Sequence, residues 1–569
     1  MFNRRGVNID ILIRGGTVYD GTGMEPFLAD VGISGDRIAL IEEHTAKGTC
    51  HLDGKPAKII DAKDMAVCPG FIDTHAHSDF TLIADPRAEG KISQGITTEI
   101  NGNCGLSAAP LYGNAAEQRD ADLKDLRISE RWSTFKEYFA IIEKLGLSVN
   151  CATLAGHGNL RACTAGYENR KLTSAERLRM VTLLEECLND GAIGISSGLI
   201  YPPGVYSDTD ELIDLCKALH SYHNRSMIQL HQRNPIGPNQ PSESINSGSF
   251  GIYASHMRSE GDQLIESINE IIRIGRESGI RVHISHIKTS GENNWHKIDQ
   301  VISMIQEARE EGIHITCDRY PYTASSTDLD TLLPTWTYEG GAEKEIERLT
   351  DNETRKRIRQ QILLENPESN YWENISIATV ASEKNRWMEG KSIASIAMQK
   401  GLEPVDLVLS LLIEEGLRSG AIFSSMCEEN LIKFLSLSYS MIGTDSSARS
   451  TSGPTFRGKP HPRGFGSFPR FLGTYARDKS LMRLESAVQK ATMLPAKTFG
   501  IRNRGVLKKG ACADIVVFDP GKINDRATFG KPFLKPDGVT YVIVNGVLSL
   551  KDGELTVLRG GRILRYGKD

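Results

Sequence analysis

No stretch of this 569-residue chain stays apolar for the roughly 20 residues that a membrane-spanning helix needs, so the sequence has no transmembrane signature. Met1–Asp10 holds two Arg but no hydrophobic run of the kind a secretory signal carries, and the cytoplasm is the expected location. Cysteine is sparse. Ten residues scattered over the chain do not form the dense framework of a disulfide-built domain and read as reduced thiols. A surplus of positive charge is also lacking: the net charge is −5 and no basic stripe stands out, which excludes a nucleic-acid surface. Finally, no Gly-rich nucleotide fingerprint follows the first strand, which argues against an open doubly wound sheet.

What is present is an ordinary globular composition with a β–(β/α)–β order. Residues 1–68 read as short strands punctuated by Gly and Asp turns, such as Ile9–Asp20 and Ala29–Ile33 before Ser34-Gly35-Asp36-Arg37. Residues 500–569 repeat that character with Ala513–Asp519 and Val539–Gly546, so both ends are expected to build one small β-sandwich. Between them, over 69–499, strand-like and helical stretches alternate, which implies parallel strands and a (β/α)8 TIM-like barrel. Two segments break the rhythm. Arg233–Phe250, polar and rich in Pro, Asn, Ser and Gly, reads as a surface loop, and about 324–425 reads as an α-rich insertion beside the site.

The chemistry starts at Gly70-Phe71-Ile72-Asp73-Thr74-His75-Ala76-His77. Residues i and i+2 of a strand share a face, so His75 and His77 project into one space at the carboxyl end of the first barrel strand, where such barrels keep their sites. A His-x-His alone is a weak signal; its place at the start of the barrel makes it a metal-ligand pair. His256 and His286 end later strands in the same way, whereas alternation is expected to turn His283 away. Four His at one barrel mouth suit zinc. Cys104, in the Gly-flanked turn Gly102-Asn103-Cys104-Gly105, is the fifth candidate, against the alternative of a buried structural thiol. Asp445 ends the strand Tyr439–Thr444 and is read as the catalytic carboxylate, against the alternative of a helix N-cap before Ser446 and Ser447. His44, His51, His296 and His314 read as surface or capped residues, His220 and His223 as surface residues of a helix, and His461 as a residue of the site rim. His231 has no clear claim.

These residues together resemble the amidohydrolase superfamily and, within it, the D-aminoacylase (N-acyl-D-amino-acid deacylase) family. The likeness spans nearly the whole chain, with Gly102–Gly105 and Ser285-His286-Ile287-Lys288 as its more specific parts. It also takes in Ser255-His256-Met257-Arg258, Tyr320-Pro321-Tyr322, Gly443-Thr444-Asp445 and His461-Pro462-Arg463. The resemblance implies a zinc held tightly by Cys104, His256 and His286, with His75 and His77 beside it as a second, weaker or empty site. No Lys stands where related enzymes carry a carboxylated one. Asp445 would act as general base, and Arg463 with Lys288 and Tyr320 would hold the substrate carboxylate, with Ser326 nearby. A guanidinium fork suits that task, and the alternative for Arg463 is a surface residue. The implied substrate is a small N-acyl-D-amino acid. The stretch Ser446–Lys459 is longer than the family pattern and leaves the alignment of Arg463 open. The rival readings are a cyclic-amide hydrolase of hydantoinase or dihydroorotase type and a non-catalytic barrel.

Overall fold

The structure, a computed structural model, describes residues 8–44, 56–233 and 251–566. The expected surface loop, from 234 onward, and His51 lie outside the described residues.

Eight short parallel strands close the barrel: β1 (Phe71–Asp73), β2 (Ile96–Asn101), β3 (Asn150–Thr153, continued by Ala155–Gly156), β4 (Ile195–Gly198), β5 (Ile252–His256), β6 (Arg281–Ile284), β7 (Ile315–Arg319) and β8 (Ser440–Ile442). Each pairs in parallel with its sequence neighbour, with β7 pairing β8. The ring is completed by Thr74 N donating to Ile442 O at 3.5 Å, Asp445 N to His75 O at 2.8 Å, and a parallel bridge from Ala76 to Ser446. The helices between strands form for local reasons. Leu264–Ser278 buries Leu264, Ile268, Ile271, Ile272 and Gly275 at helical spacing and stops at Gly279, which sits at φ +68°. Phe135–Leu145 and Ser174–Asp190 start in capping boxes, Thr134 with Glu137 and Thr173 with Glu176.

Apolar residues fill the amino-terminal end of the barrel. Ile100, Ala152, Leu154, Ile252, Ala254 and Met441 form one cluster capped by Phe499. The opposite end is left to polar side chains, and that division positions the site.

Between β7 and β8 the chain leaves the barrel and builds a second unit. It has four helices (Ala342–Thr350, Asn352–Glu365, Ile393–Lys400 and Pro404–Glu415) and a three-stranded antiparallel sheet in the order Ser325–Asp328, Gly420–Phe423, Ile375–Thr379. Leu349, Ile358, Ile362, Ile377, Ile396 and Leu412 give it a core of its own.

Strands from both ends of the chain join one nine-stranded sheet, with Ala66–Pro69 antiparallel to Ile515–Phe518 at the junction. Leu548 and Ile33 lie far apart along that strand order yet share one apolar cluster, which neighbouring strands about 4.8 Å apart allow only if the sheet curls over. Ile38 N donating to Ala511 O at 2.9 Å ties the edge strand Arg37–Glu43 to the segment that leads into Ile515–Phe518.

Candidate metal centre and active site

His75, Cys104, His256, His286 and Asp445 all stand at or just beyond the carboxyl ends of barrel strands, on β1, β2, β5, β6 and β8. Three of them adopt left-handed backbone conformations that non-glycine residues seldom occupy: Cys104 at φ +53°, His286 at φ +36° and Asp445 at φ +48°. Such conformations persist only where the surroundings over-determine them. At Cys104 those surroundings are glycine. Gly102 sits at φ +72°, where a Cβ would come within 2.1 Å of Leu154 O, and a Cβ on Gly198 would come within 2.1 Å of Cys104 O. The turn therefore packs backbone against backbone, and the thiol is pushed over the barrel axis.

There it meets imidazoles. Cys104 Sγ is 3.2 Å from His75 Nε2 and 3.5 Å from His286 Nε2. Three overlapping donor sets converge: His75, Cys104 and His286; His75, His77 and Asp445; and His256, Glu260 and His286. Tetrahedral zinc, with Zn–S near 2.3 Å and Zn–N of about 2.0–2.1 Å, would hold sulfur and nitrogen roughly 3.5 Å apart, and the spacing of the Cys104 sulfur from these imidazoles fits that metal. Both ring nitrogens of His256 are buried without a hydrogen-bond partner among the described residues, which a ligand position would explain. The sulfur, nitrogen and carboxylate chemistry is that of a zinc site.

The electrostatics keep the thiol and the carboxylate ionised. Burial alone would raise the Cys104 thiol, but His75 and His286 beside it hold it well below the usual thiol range. Burial likewise opposes ionisation of Asp445, yet Arg463 above all, then His286 and His77, keep its carboxyl well below the usual carboxylate range. Asp445 Oδ1 lies 3.1 Å from His77 Nε2 and 3.6 Å from His75 Nε2. Its Oδ2 is 2.7 Å from Arg463 Nη1, an ion pair without hydrogen-bond alignment, so the hydrogens of Nη1 stay available to another acceptor.

Of the ten expected site residues, nine line one cavity of about 450 Å³: His77, Cys104, His256, His286, Lys288, Tyr320, Ser326, Asp445 and Arg463. His75 is fully buried behind them. The Tyr320 hydroxyl is buried and unpartnered among the described residues, and the Arg463 guanidinium stacks 4.6 Å over its ring. Ser326 engages through its backbone, its carbonyl accepting from Arg463 Nη2 at 3.1 Å. His461 is buried at the cavity wall, its Nε2 2.9 Å from Ala324 O.

Several expectations need correcting. His283 also faces the barrel interior, because the strand ends at Ile284 and the turn at Ser285–His286 breaks the alternation that would have separated the two rings. Its Nε2 bonds Asp318 at 2.8 Å and its ring rests on Phe499. His223 is no surface residue: it is fully buried, with its ring 4.3 Å from that of Tyr566. His157, which the motif reading passes over, is buried and 2.8 Å from Glu211, away from the centre.

Two carboxylates of the site escape the sequence reading. Asp318 accepts from His286 N at 2.7 Å and stands 3.4 Å from His75 Nδ1. Glu260 lies 2.8 Å from His286 Nδ1 and pairs with Lys288. By engaging the rear nitrogens, the two carboxylates aim Nε2 of both rings at Cys104. Lys288 is thus held by Glu260 rather than left free for a substrate.

Comparison with known proteins agrees with this geometry. The amidohydrolase family profile matches residues 58–138 and 457–549. A D-aminoacylase from Alcaligenes xylosoxydans xylosoxydans is 33% identical over 555 residues, covering 98% of this chain and 97% of its own. An N-acyl-D-glutamate deacylase from Bordetella bronchiseptica, solved with zinc and a phosphonate that mimics the reaction's tetrahedral intermediate, superimposes with a TM-score of 0.78 at 31% identity, covering 98% of this chain and all of that one. A D-aminoacylase structure described as having a binuclear metal centre, with one-metal activation and second-metal attenuation, gives a TM-score of 0.77 at 32% identity over 98% of this chain and all of its own.

Proposed function

The chain belongs to the D-aminoacylase family of amidohydrolases, and from that premise we propose that it is a zinc-dependent deacylase that hydrolyses the amide of N-acyl-D-amino acids to a carboxylate and a free D-amino acid. The observation that carries the reading is the thiol of Cys104 set between His75 and His286 with Asp445 beside them.

In this reading Cys104, His256 and His286 hold the tight zinc, and His75 and His77 with Asp445 offer a second, weaker position. When bound, zinc polarises the scissile carbonyl and acidifies the attacking water. Asp445 takes the proton of that water at Oδ1 and returns it to the nitrogen of the leaving amine. Arg463 keeps Asp445 ionised through Oδ2 and presents its remaining N–H groups, with the Tyr320 hydroxyl, to the substrate α-carboxylate. Lys288 acts through Glu260 on the orientation of His286, with Ser326 contributing its carbonyl to Arg463. The cytoplasm is the proposed location, supported by nine free cysteines among the described residues; no described helix is long and apolar enough to cross a membrane.

The test pairs metal analysis of the purified protein with amine release from matched N-acyl-D- and N-acyl-L-amino acids. Zinc in the protein and release from D-substrates are expected. Asp445→Asn should retain zinc and lose about 10²–10⁴-fold in kcat. Absence of release from every D-substrate by the zinc-loaded protein overturns the reading.

A further inference from the structure

A second cavity, of about 800 Å³, opens beside the catalytic one, and Thr379 and Arg449 line both. Three parts of the fold wall it: the insertion, the loop that follows Asp445, and the segment Gly530–Leu534 of the carboxyl-terminal region. Six cationic side chains line it: Arg386, Arg418, Arg449, Arg457, Lys459 and Lys531. Only two carboxylates do, Asp125 and Glu389, and Asp125 is already spent on Arg418 at 2.7 Å.

Arg386 stands 3.8 Å from Glu383, and the remaining four cations are poorly compensated. Arg457 reaches only the backbone carbonyl of Asp125, at 3.2 Å, and Lys459 only that of Gly530, at 2.9 Å. Among the described residues neither these two, nor Arg449, nor Lys531, has a carboxylate within ion-pair distance. Arg449 Nε is buried with no partner there at all, and burial, with Arg457 next to it, pushes its guanidinium down to about 10. A cluster of like charges with an unsatisfied guanidinium at the boundary between two cavities is costly unless an anion completes it.

We propose that this basic chamber is a subsite for a second anionic group of the substrate, distinct from the α-carboxylate assigned to Arg463, with Arg449 as the residue that reads it. A low-dielectric cleft of one charge sign concentrates anions and orients them, and a guanidinium binds a carboxylate with two parallel hydrogen bonds. The second carboxylate can be borne by the D-amino acid's side chain or by the far end of the acyl group. The inference rests on the deacylase reading and deepens it to dianionic substrates.

The experiment compares kcat/KM of the zinc-loaded enzyme on N-acetyl-D-glutamate against N-acetyl-D-glutamine, and on N-succinyl-D-leucine against N-acetyl-D-leucine. It uses wild type, Arg449→Gln, and the exposed double variant Arg457→Gln/Lys531→Gln, which leaves the folded core untouched. The expected result is a preference of at least tenfold for one dianionic substrate over its monoanionic partner, lost in both variants while the monoanionic rates change less than twofold. Loss confined to the glutamate pair assigns the chamber to the side chain, and loss confined to the succinyl pair assigns it to the acyl group. No dianion preference in wild type, or equal losses on both members of a pair, overturns the proposal. Should no N-acyl-D-amino acid be turned over, the deacylase reading fails by itself. Calorimetric binding of N-succinyl-D-leucine and N-acetyl-D-leucine to wild type and Arg449→Gln then decides the chamber: tighter wild-type binding of the dianion supports it, and equal affinities reject it.

Discussion

Asp318 touches more of the centre than any single ligand does. Its Oδ1 accepts from His286 N, and its Oδ2 accepts from His283 Nε2 at 2.8 Å and Thr74 Oγ1 at 3.2 Å while facing His75 Nδ1. A carboxylate placed so fixes which imidazole nitrogen points at the metal and strengthens it as a donor. Asp318→Asn keeps the volume but removes the charge, and should weaken zinc binding about 10–100-fold, measured by competition with a chromogenic chelator. Wild-type affinity in that variant would show that the carboxylate only packs. The residues facing the metal are legible because each ends a strand: the signal that marks His75, His256 and Asp445 is an apolar run stopping at a polar side chain. Asp318 carries the same signal at the end of β7, but the motifs around it draw attention elsewhere. Glu260 carries none. It lies on a loop four residues past His256, and only the way that loop turns back brings it to His286. His283 misleads because a period-2 argument holds only while the strand lasts.

The insertion shows the same boundary between pattern and packing at the scale of an element. Its helices declare themselves through charged runs such as Asn352–Glu365. Its sheet does not. Ser325–Asp328 is Ser-Ser-Thr-Asp with no apolar residue, and it is a strand only because Gly420–Phe423 pairs with it. That strand supplies Ser325, Ser326, Thr327 and Asp328 to the cavity wall, and periodicity does not show that part of it. Within the insertion, Glu345 on the helix Ala342–Thr350 is pushed up to about 9, first by burial and then by the Asp330 carboxyl, and its Oε1 is unpartnered among the described residues. Its folded value therefore lies above its ordinary value of 4.5. Below that ordinary value both folded and unfolded chains hold the proton and nothing is lost. As pH rises from there through the folded value, only the unfolded chain ionises freely, and stability falls. Glu345→Gln should consequently melt at a higher temperature than wild type at pH 8 and together with it at pH 4, followed by calorimetry. A gain of the same size at both values would mean that packing, not ionisation, sets the difference.

For the whole molecule, the order of strands and helices foretells the barrel because each β/α unit repeats the same local chemistry, whereas nothing local says that β8 must close on β1. That closure is thin: β1 is three residues long, β8 three, and the bonds across the seam run from Thr74 and Asp445, next to the ligands. The donor atoms converge from β1, β2, β5, β6 and the loop after β8, so ions at the two proposed positions would tie together β2, β5 and β6 on one side and β1 with the loop after β8 on the other. Metal binding is then part of folding stability, worth about 4 kcal/mol when free zinc stands at a thousand times its dissociation constant. With an unfolding entropy of roughly 2 cal/mol/K per residue, that shifts the melting of a chain this long by only about 3–4 °C if it unfolds as one unit. A larger shift is expected here, because the insertion has a core of its own and the unit that melts with the barrel is smaller than the chain. Chelation should therefore lower the barrel transition by more than about 4 °C, leave that of the insertion in place, and be reversed by added zinc. A single transition moving as a whole would show that the insertion and the seam melt together, and an unmoved barrel transition would mean that the ligands are held in place without the ion.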